Sequence, residues 1–155
     1  MFLGLNINTG EMMAVKQVEL HTTLSDERGQ RQRVLIEAIK NESSNLRDLD
    51  HPNVVQLLGF EETPDHFSLF FEYVPGGSIG SALRKLGKFD ETVTKNFISQ
   101  ILGGLEYLHS HDVYHGRLRG NNVLVDALGV CKLSDFGVTN LNGTCGVCVL
   151  IRLAH

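Results

Sequence analysis

The chain has 155 residues, a formal net charge of −4 and 42% hydrophobic residues. This length fits one domain with a buried core, and the composition is typical of a soluble globular protein. The negative charge gives no general attraction to nucleic acid or anionic membranes, so neither is an expected partner. No apolar run approaches the ~18 residues of a membrane span. The odd number of cysteines, three, favours a reducing, cytoplasmic environment over a disulfide framework.

Two strands are predicted at the start of the chain, over residues 1–5 and 11–20, joined by a turn rich in Asn and Gly. Ala14 and Lys16 share one face of the second strand, because side chains alternate with a period of two. A lone lysine on a strand is ordinarily a solvated charge, and the pattern alone leaves that interpretation open.

A helix is predicted over about residues 30–49, after a polar loop at residues 21–29. Its apolar residues recur at helical spacing: Leu35, Ile39, Leu46 and Leu49. Glu42 is the one charged residue in this stripe. A carboxylate on an apolar face is costly unless it is paired. The alternative is that Glu42 lies at the edge of the stripe and reaches water.

Two more strands are predicted over residues 54–60 and 66–73, with four aromatic or aliphatic residues on one face of the second: Phe67, Leu69, Phe71 and Tyr73. We expect this face to be mostly core. The sequence Pro-Gly-Gly at residues 75–77 then marks a linker, which is the clearest boundary in the chain.

Two helices are predicted after this linker. Ser78 caps a short helix over residues 79–86, which Gly87 ends, and Asp90 caps a long helix that runs to about His109. The expected buried stripe of the long helix consists of Val93, Phe97, Ile101, Leu105 and Leu108.

A β-hairpin is predicted where two short apolar runs, residues 123–125 and 130–133, flank an Asp-Ala-Leu-Gly turn. Asn122 precedes the first arm and Asp135 follows the second, so that closing the hairpin brings an amide oxygen and a carboxylate to the same end. Two such hard oxygen ligands suit Mg²⁺, which takes its remaining ligands from water and phosphates.

Residues 115–137 read HGRLRGNNVLVDALGVCKLSDFG, and this stretch resembles the catalytic loop and metal-binding segment of a protein kinase. The stretches at residues 13–16, 72–78 and 103–109 resemble the same family. The linker, the long helix and residues 50–59 together look most like its MAP kinase kinase kinase group of serine/threonine kinases. The resemblance covers residues 1 to about 138.

The resemblance implies an α+β, protein-kinase-like fold that is truncated at both ends of the domain. Residues 1–74 would form an antiparallel β small lobe with one helix, lacking its first strand and glycine-rich loop. Residues 75–138 would form an incomplete, mainly helical large lobe, and residues 139–155 a tail outside the family.

The resemblance also implies binding of ATP with Mg²⁺. Lys16 would hold phosphates and pair with Glu42, while Asn122 and Asp135 would hold the metal. His115 would pack beneath Phe136. The remaining positions implied for the nucleotide are Ala14, Phe71, Glu72, Val74, Ser78 and Leu124.

The resemblance fails at one catalytic position, because Arg117 stands where the family has its catalytic Asp. A guanidinium cannot accept the proton of a substrate hydroxyl. We therefore expect a serine/threonine kinase of a MAP kinase cascade with impaired phosphoryl transfer, and a downstream protein kinase as its substrate or binding partner. The alternatives are a pseudokinase-like interaction module without catalysis, or a non-functional truncated product.

The tail contains a CxxC sequence, Cys145 to Cys148. A structural zinc site needs four ligands, and no second pair stands at a recognisable spacing, so a metal or redox function is disfavoured. An apolar strand over residues 145–153 is the prediction, in a tail that a truncated or mis-spliced product would carry.

Overall fold

A computed structural model describes residues 1–20 and 27–136, with the backbone alone for residues 27–29, 31–33, 35, 42, 44 and 45. These residues form two compact units. The first contains Met1–Leu49 and Gln56–Tyr73, and the second contains Asp50–Val55 and residues 74–136. The strand predicted at residues 145–153 and the CxxC sequence lie outside the described residues, as does most of the polar loop predicted at residues 21–29.

The first unit is built on a four-stranded sheet in the order β1-β2-β4-β3, with every neighbouring pair antiparallel. The strands are β1 (Phe2–Leu5), β2 (Met12–Glu19), β3 (Leu57–Glu62) and β4 (His66–Glu72). The turn between β1 and β2 is held by the side chain of Asn6, whose Oδ1 accepts the N–H of Asn8 at 3.0 Å. The predicted antiparallel sheet is confirmed.

The inner strand β4 is only partly buried along the face that the sequence predicts to be core. Phe67 is fully buried and Leu69 is buried, whereas Phe71 is half-buried and Tyr73 is 42% exposed. The expectation of a core role therefore holds for the first half of the strand and is wrong for Tyr73, which follows the last paired residue of β4.

Strand β3 corrects a predicted boundary, because it begins at Leu57 and not at residue 54. Val54 forms a parallel bridge with Leu133, and the N–H of Val55 donates to the Leu133 carbonyl at 2.9 Å. Both residues belong to the second unit, since their backbone groups are satisfied there. The strand continues through Glu62, which the sequence assigns to the following turn.

The helix α1 (Glu27–Arg47) begins earlier than the predicted residue 30 and ends before residue 49. Of the predicted stripe, Ile39, Leu46 and Leu49 are buried. Ile36 and Ser43 are also buried, although the predicted stripe omits them. The side chains of Leu35 and Glu42 lie outside the described residues. Lys40 Nζ contacts carboxylate oxygens of Glu37 and Glu62, and so links α1 to β3.

The second unit contains α2 (Ile79–Leu86), α3 (Glu91–Ser110) and the hairpin of β5 (Val123–Val125) and β6 (Cys131–Leu133). Both predicted caps are confirmed: Ser78 Oγ accepts the N–H of Ser81 at 3.1 Å, and Asp90 Oδ1 accepts the N–H of Val93 at 2.8 Å. Gly87, at φ +83°, ends α2 as predicted. No helix in the described ranges is both long and apolar enough to cross a membrane.

The predicted buried stripe of α3 is confirmed fully at Leu108 alone, and its other four residues are half-buried. The closest packing occurs instead at Gly104, where an added Cβ would lie 2.8 Å from the Asn53 carbonyl oxygen and 2.9 Å from Leu133 Cδ1. At this glycine the helix approaches both the Asn53 backbone and the Leu133 side chain of the hairpin, which an apolar periodicity does not indicate.

Candidate functional site

The β5–β6 hairpin is the centre of the candidate site. Val123 pairs with Leu133 and Val125 with Cys131. The connecting turn is held by Asp126, whose Oδ1 accepts the N–H groups of Leu128 and Val130, both at 2.8 Å. The predicted hairpin is thus confirmed with the turn chemistry that its sequence indicates.

The open end of the hairpin is closed by Ser134. Its N–H and its Oγ both donate to the Asn122 carbonyl oxygen, at 2.9 Å and 3.2 Å. Asn122 and Asp135 therefore lie at one end of the hairpin, as the sequence predicts. Asp135 has φ +59°, in the left-handed region that few residues other than glycine adopt.

The loop before the hairpin carries Arg117, which is half-buried. Its N–H donates to the His115 carbonyl at 2.8 Å, and its own carbonyl accepts Nδ2 of Asn122 at 2.9 Å. Gly116, between them, has φ +67°, which glycine adopts without steric cost. Arg117 occupies the position where the family has its base. Its backbone carbonyl is hydrogen-bonded to Asn122, one of the two predicted metal ligands.

His115 is 3% exposed, and its ring contacts Phe136 edge-on with centroids 6.4 Å apart, as predicted. Burial lowers the pKa of His115 below its ordinary value of 6.5, while its backbone hydrogen bond and the Asp135 carboxylate act in the opposite direction. In the described part of the chain, Nε2 has no hydrogen-bond partner. Burial therefore favours the neutral form of the imidazole.

A network of polar side chains, which the sequence does not reveal, links the hairpin to α3 and to Asn53. Gln100 Oε1 accepts the N–H of Cys131 at 2.8 Å and Nδ2 of Asn53 at 3.1 Å. Asn53 Nδ2 also donates to the Cys131 carbonyl at 2.9 Å, and the Asn53 carbonyl accepts the N–H of Leu133 at 2.9 Å. The sequence feature that could have indicated this network is the position of Gln100. It stands between Phe97 and Gly104 at helical spacing, on the inward face of α3.

Four of the predicted site residues belong to the sheet of the first unit. Ala14 pairs with Phe71, and Lys16 pairs with Leu69, in the β2–β4 register. Glu72 ends β4, and its N–H donates to the Gln56 carbonyl at 3.0 Å. The predicted pairing of Lys16 with Glu42 lies outside the described residues.

Three further predicted positions belong to the second unit. Val74 is buried, and Ser78 forms an antiparallel bridge with Leu124. This contact is close because Gly76 has no side chain: a Cβ there would lie 2.1 Å from the Val125 carbonyl oxygen. The structure brings Ser78 and Leu124 together, while Ser78 Oγ is already engaged as the cap of α2.

Comparison with known families matches residues 1–146 to the protein kinase domain. The chain belongs to the protein kinase family. The predicted kinase-like α+β fold is therefore confirmed, and the two units contain the family's antiparallel sheet with one helix and part of its helical region.

Named relatives place this kinase chain near one group. MAP kinase kinase kinase mkh1 of Schizosaccharomyces pombe is 49% identical over 138 residues, which are 89% of this chain and 12% of that protein. Serine/threonine-protein kinase BCK1/SLK1/SSP31 of Saccharomyces cerevisiae is 49% identical over 140 residues, 89% of this chain and 9% of that protein. Mitogen-activated protein kinase kinase kinase ANP1 of Arabidopsis thaliana is 40% identical over 138 residues, 89% of this chain and 20% of that protein.

These relatives confirm the predicted similarity to MAP kinase kinase kinases over most of the chain. The chain spans between 9% and 20% of the length of these three proteins.

The donor set of the kinase hairpin suits a metal that arrives with a nucleotide. In residues 1–20 and 27–136, no group of three or more His, Cys, Asp or Glu side chains could hold a metal ion. Asn122 and Asp135 offer one amide oxygen and one carboxylate, which leaves most ligand positions of an octahedral ion to phosphate and water. These residues fit Mg²⁺ bound to a triphosphate better than a metal held by protein alone.

Proposed function

We propose that this kinase chain binds ATP with Mg²⁺ and that Arg117 impairs its phosphoryl transfer to protein. The observation that carries this proposal is the closed hairpin end, where Ser134 bonds to the Asn122 carbonyl and Asn122 in turn bonds to the Arg117 carbonyl. These bonds support a metal-binding end of the hairpin beside a residue that cannot act as a base.

The proposed nucleotide positions are those that the similarity to the kinase family implies. Ala14 and Phe71 would contact the adenine, and Lys16 the phosphates. The backbone of Glu72, at the end of β4, would bind the adenine edge. The backbone of Val74 and the side chain of Leu124 are the further positions proposed for the nucleotide.

Asn122 and Asp135 would hold Mg²⁺, which when bound neutralises phosphate charge during transfer. Arg117 would bind the γ-phosphate as a permanent cation, because its guanidinium does not lose its proton in proteins. A positioned general base contributes ~10²–10⁴-fold to such a reaction. Nucleotide binding should therefore survive in this chain, and transfer should be slow.

The test measures two quantities, thermal stabilisation by ATP with Mg²⁺ and transfer of the γ-phosphate to protein. We expect stabilisation of the unmodified chain with little transfer, and a ~10²–10⁴-fold gain in transfer for Arg117→Asp, which restores a proton acceptor. Arg117→Asn is the matched control, because it removes the cation without adding a base, and it should not gain transfer.

Equal transfer rates for the unmodified chain and Arg117→Asp would refute the assigned role of Arg117. If ATP with Mg²⁺ gave no stabilisation, nucleotide binding would be refuted and an interaction module without catalysis would remain. The half-buried cation at the base position favours that second candidate.

The relatives' printed names extend the proposal to a partner. Two of the three are named as kinases of a kinase cascade, so a downstream protein kinase is the proposed substrate or binding partner of this chain. A cytoplasmic location is part of the proposal, on the basis of the three cysteines without a disulfide framework.

A further inference from the structure

Two segments of the second unit carry several cations and no acidic residue. Residues 76–88 contain Arg84, Lys85 and Lys88, and residues 113–125 contain Arg117 and Arg119, with no Asp or Glu in either segment. The whole chain has a net charge of −4. Positive charge is therefore concentrated in these two segments, although the chain as a whole is negatively charged.

The two segments pack directly against each other. The helix α2 meets the short helical turn Gly120–Asn122 through glycine: a Cβ on Gly80 would lie 2.2 Å from Asn121 Oδ1. Arg84 Nη1 donates to the same Asn121 Oδ1 at 3.1 Å. The guanidinium of Arg84 is thereby fixed beside the loop that carries Arg119.

We name the side chains of Arg84, Lys85, Lys88 and Arg119 the basic surface. All four are exposed. Exposed leucines accompany them on the same segments, Leu86 at 70% and Leu118 at 47%. Cations in the last turn of a helix also interact favourably with the helix dipole. That effect accounts for Arg84 and Lys85, but not for Arg119.

We propose that the basic surface binds an acidic peptide segment of a partner protein. Carboxylates form charge-assisted and bidentate hydrogen bonds with guanidinium groups, and the exposed leucines provide contacts for apolar side chains between them. The negative charge of the chain opposes a nucleic acid as the occupant, because the phosphate backbone would be repelled outside the basic surface.

The experiment uses the full chain and a fluorescein-labelled peptide rich in Glu and Leu, with binding followed by fluorescence anisotropy at several salt concentrations. The same peptide with Gln in place of Glu is the uncharged control, and a labelled DNA duplex tests the other anionic class. We expect the Glu peptide to bind, with an affinity that falls as salt rises, and the other two probes to bind more weakly.

Variants test where the peptide binds. Lys85→Glu/Lys88→Glu reverses two charges, and Arg84→Gln removes one charge while keeping a donor for Asn121. We expect the double variant to weaken binding at least about tenfold and Arg84→Gln to weaken it several-fold. Lys95→Glu is the matched control on α3, where Lys95 is exposed and paired with Glu91, and it should change the affinity less than about twofold.

Three results would overturn the proposal: no binding of the Glu peptide, equal binding of the Gln peptide, or preferred binding of DNA. An unchanged affinity in Lys85→Glu/Lys88→Glu would also overturn it. Circular dichroism melting of each variant identifies loss of folding. Peptide binding without any stabilisation by ATP and Mg²⁺ would support the basic surface while refuting the proposed nucleotide function, so the two outcomes are separable.

Discussion

At the scale of single residues, two aspartates adopt a backbone conformation that aspartate reaches only at some cost. In the described part of the chain, Asp112 has φ +57° and Asp135 has φ +59°. Asp112 lies just after α3, where its N–H donates to the His109 carbonyl at 3.1 Å and helps to end the helix. Asp135 lies just after β6, next to the predicted metal ligand Asn122. Strained residues of this kind are enriched at functional sites.

Replacing Asp135 with Asn separates charge from conformation, because Asn also tolerates the left-handed region. We expect Asp135→Asn to leave the melting temperature without nucleotide nearly unchanged and to abolish the part of ATP stabilisation that depends on Mg²⁺. The measurement is thermal melting with ATP across a magnesium titration. Asp112→Asn is the control at the same φ and should retain the full effect; retention by Asp135→Asn would contradict a metal role.

The residue scale also shows what the sequence could predict about the site. Asp126 and Gly129 are local turn signals, so the hairpin and the placement of Asn122 and Asp135 follow from neighbouring residues. The support from Asn53 does not, because its side chain bonds to Cys131, 78 residues further along the chain. No pattern within a short window contains such a contact.

At the scale of elements, α3 has two adjacent glycines in opposite surroundings. An added Cβ on Gly104 would lie 2.8 Å from the Asn53 carbonyl oxygen, whereas one on Gly103 would meet nothing closer than Asn53 Oδ1 at 3.8 Å. Glycine inside a helix costs about 0.5–1 kcal/mol relative to alanine. The two positions therefore separate helix propensity from packing against the 50–55 segment and the hairpin.

We expect Gly103→Ala to raise the free energy of unfolding by about 0.5–1 kcal/mol. Gly104→Ala should lower it by about 1–3 kcal/mol, because overpacking outweighs the propensity gain. Urea denaturation of both variants measures the difference. A stabilising Gly104→Ala would show that α3 and β6 are not packed as described.

Element boundaries were predictable where a cap defines them and not where packing does. Ser78, Gly87 and Asp90 mark helix ends by their own chemistry. The start of β3 depends instead on which partner satisfies the Asn53 carbonyl and the N–H of Val55, on either side of Val54, and that partner is Leu133. An apolar run is compatible with either choice, so the predicted strand includes residues that pair elsewhere.

At the scale of the whole molecule, the buried His115 links folding to pH. Burial lowers its pKa in the folded chain, so the unfolded chain binds a proton at a higher pH than the folded one. Below about pH 6.5, the ordinary value, the unfolded state therefore gains protons first. Stability falls as pH falls through this window and is fully present above it.

His115→Phe should weaken this pH dependence, because the phenyl ring can still contact Phe136 and does not titrate. The N–H of Arg117 keeps its bond to the backbone carbonyl of residue 115. We expect the unfolding free energy of the variant, from urea denaturation, to fall less than that of the unmodified chain between pH values above and below 6.5. His109→Phe, at an exposed position, is the control. If the unfolding free energy changed with pH equally in all three proteins, His115 would not be the source of the pH dependence.

Residues 50–55 belong to the second unit, although the residues before and after them belong to the first. The chain therefore crosses between the two units more than once. Within the described residues, the chain passes from one unit to the other after Leu49, after Val55 and after Tyr73. A protease that cleaves only the Pro-Gly-Gly linker would leave the N-terminal piece attached, since Asn53 and Val55 on that piece remain hydrogen-bonded to Cys131 and Leu133 on the other. Neither unit can be excised as one continuous stretch of sequence without taking part of its neighbour along.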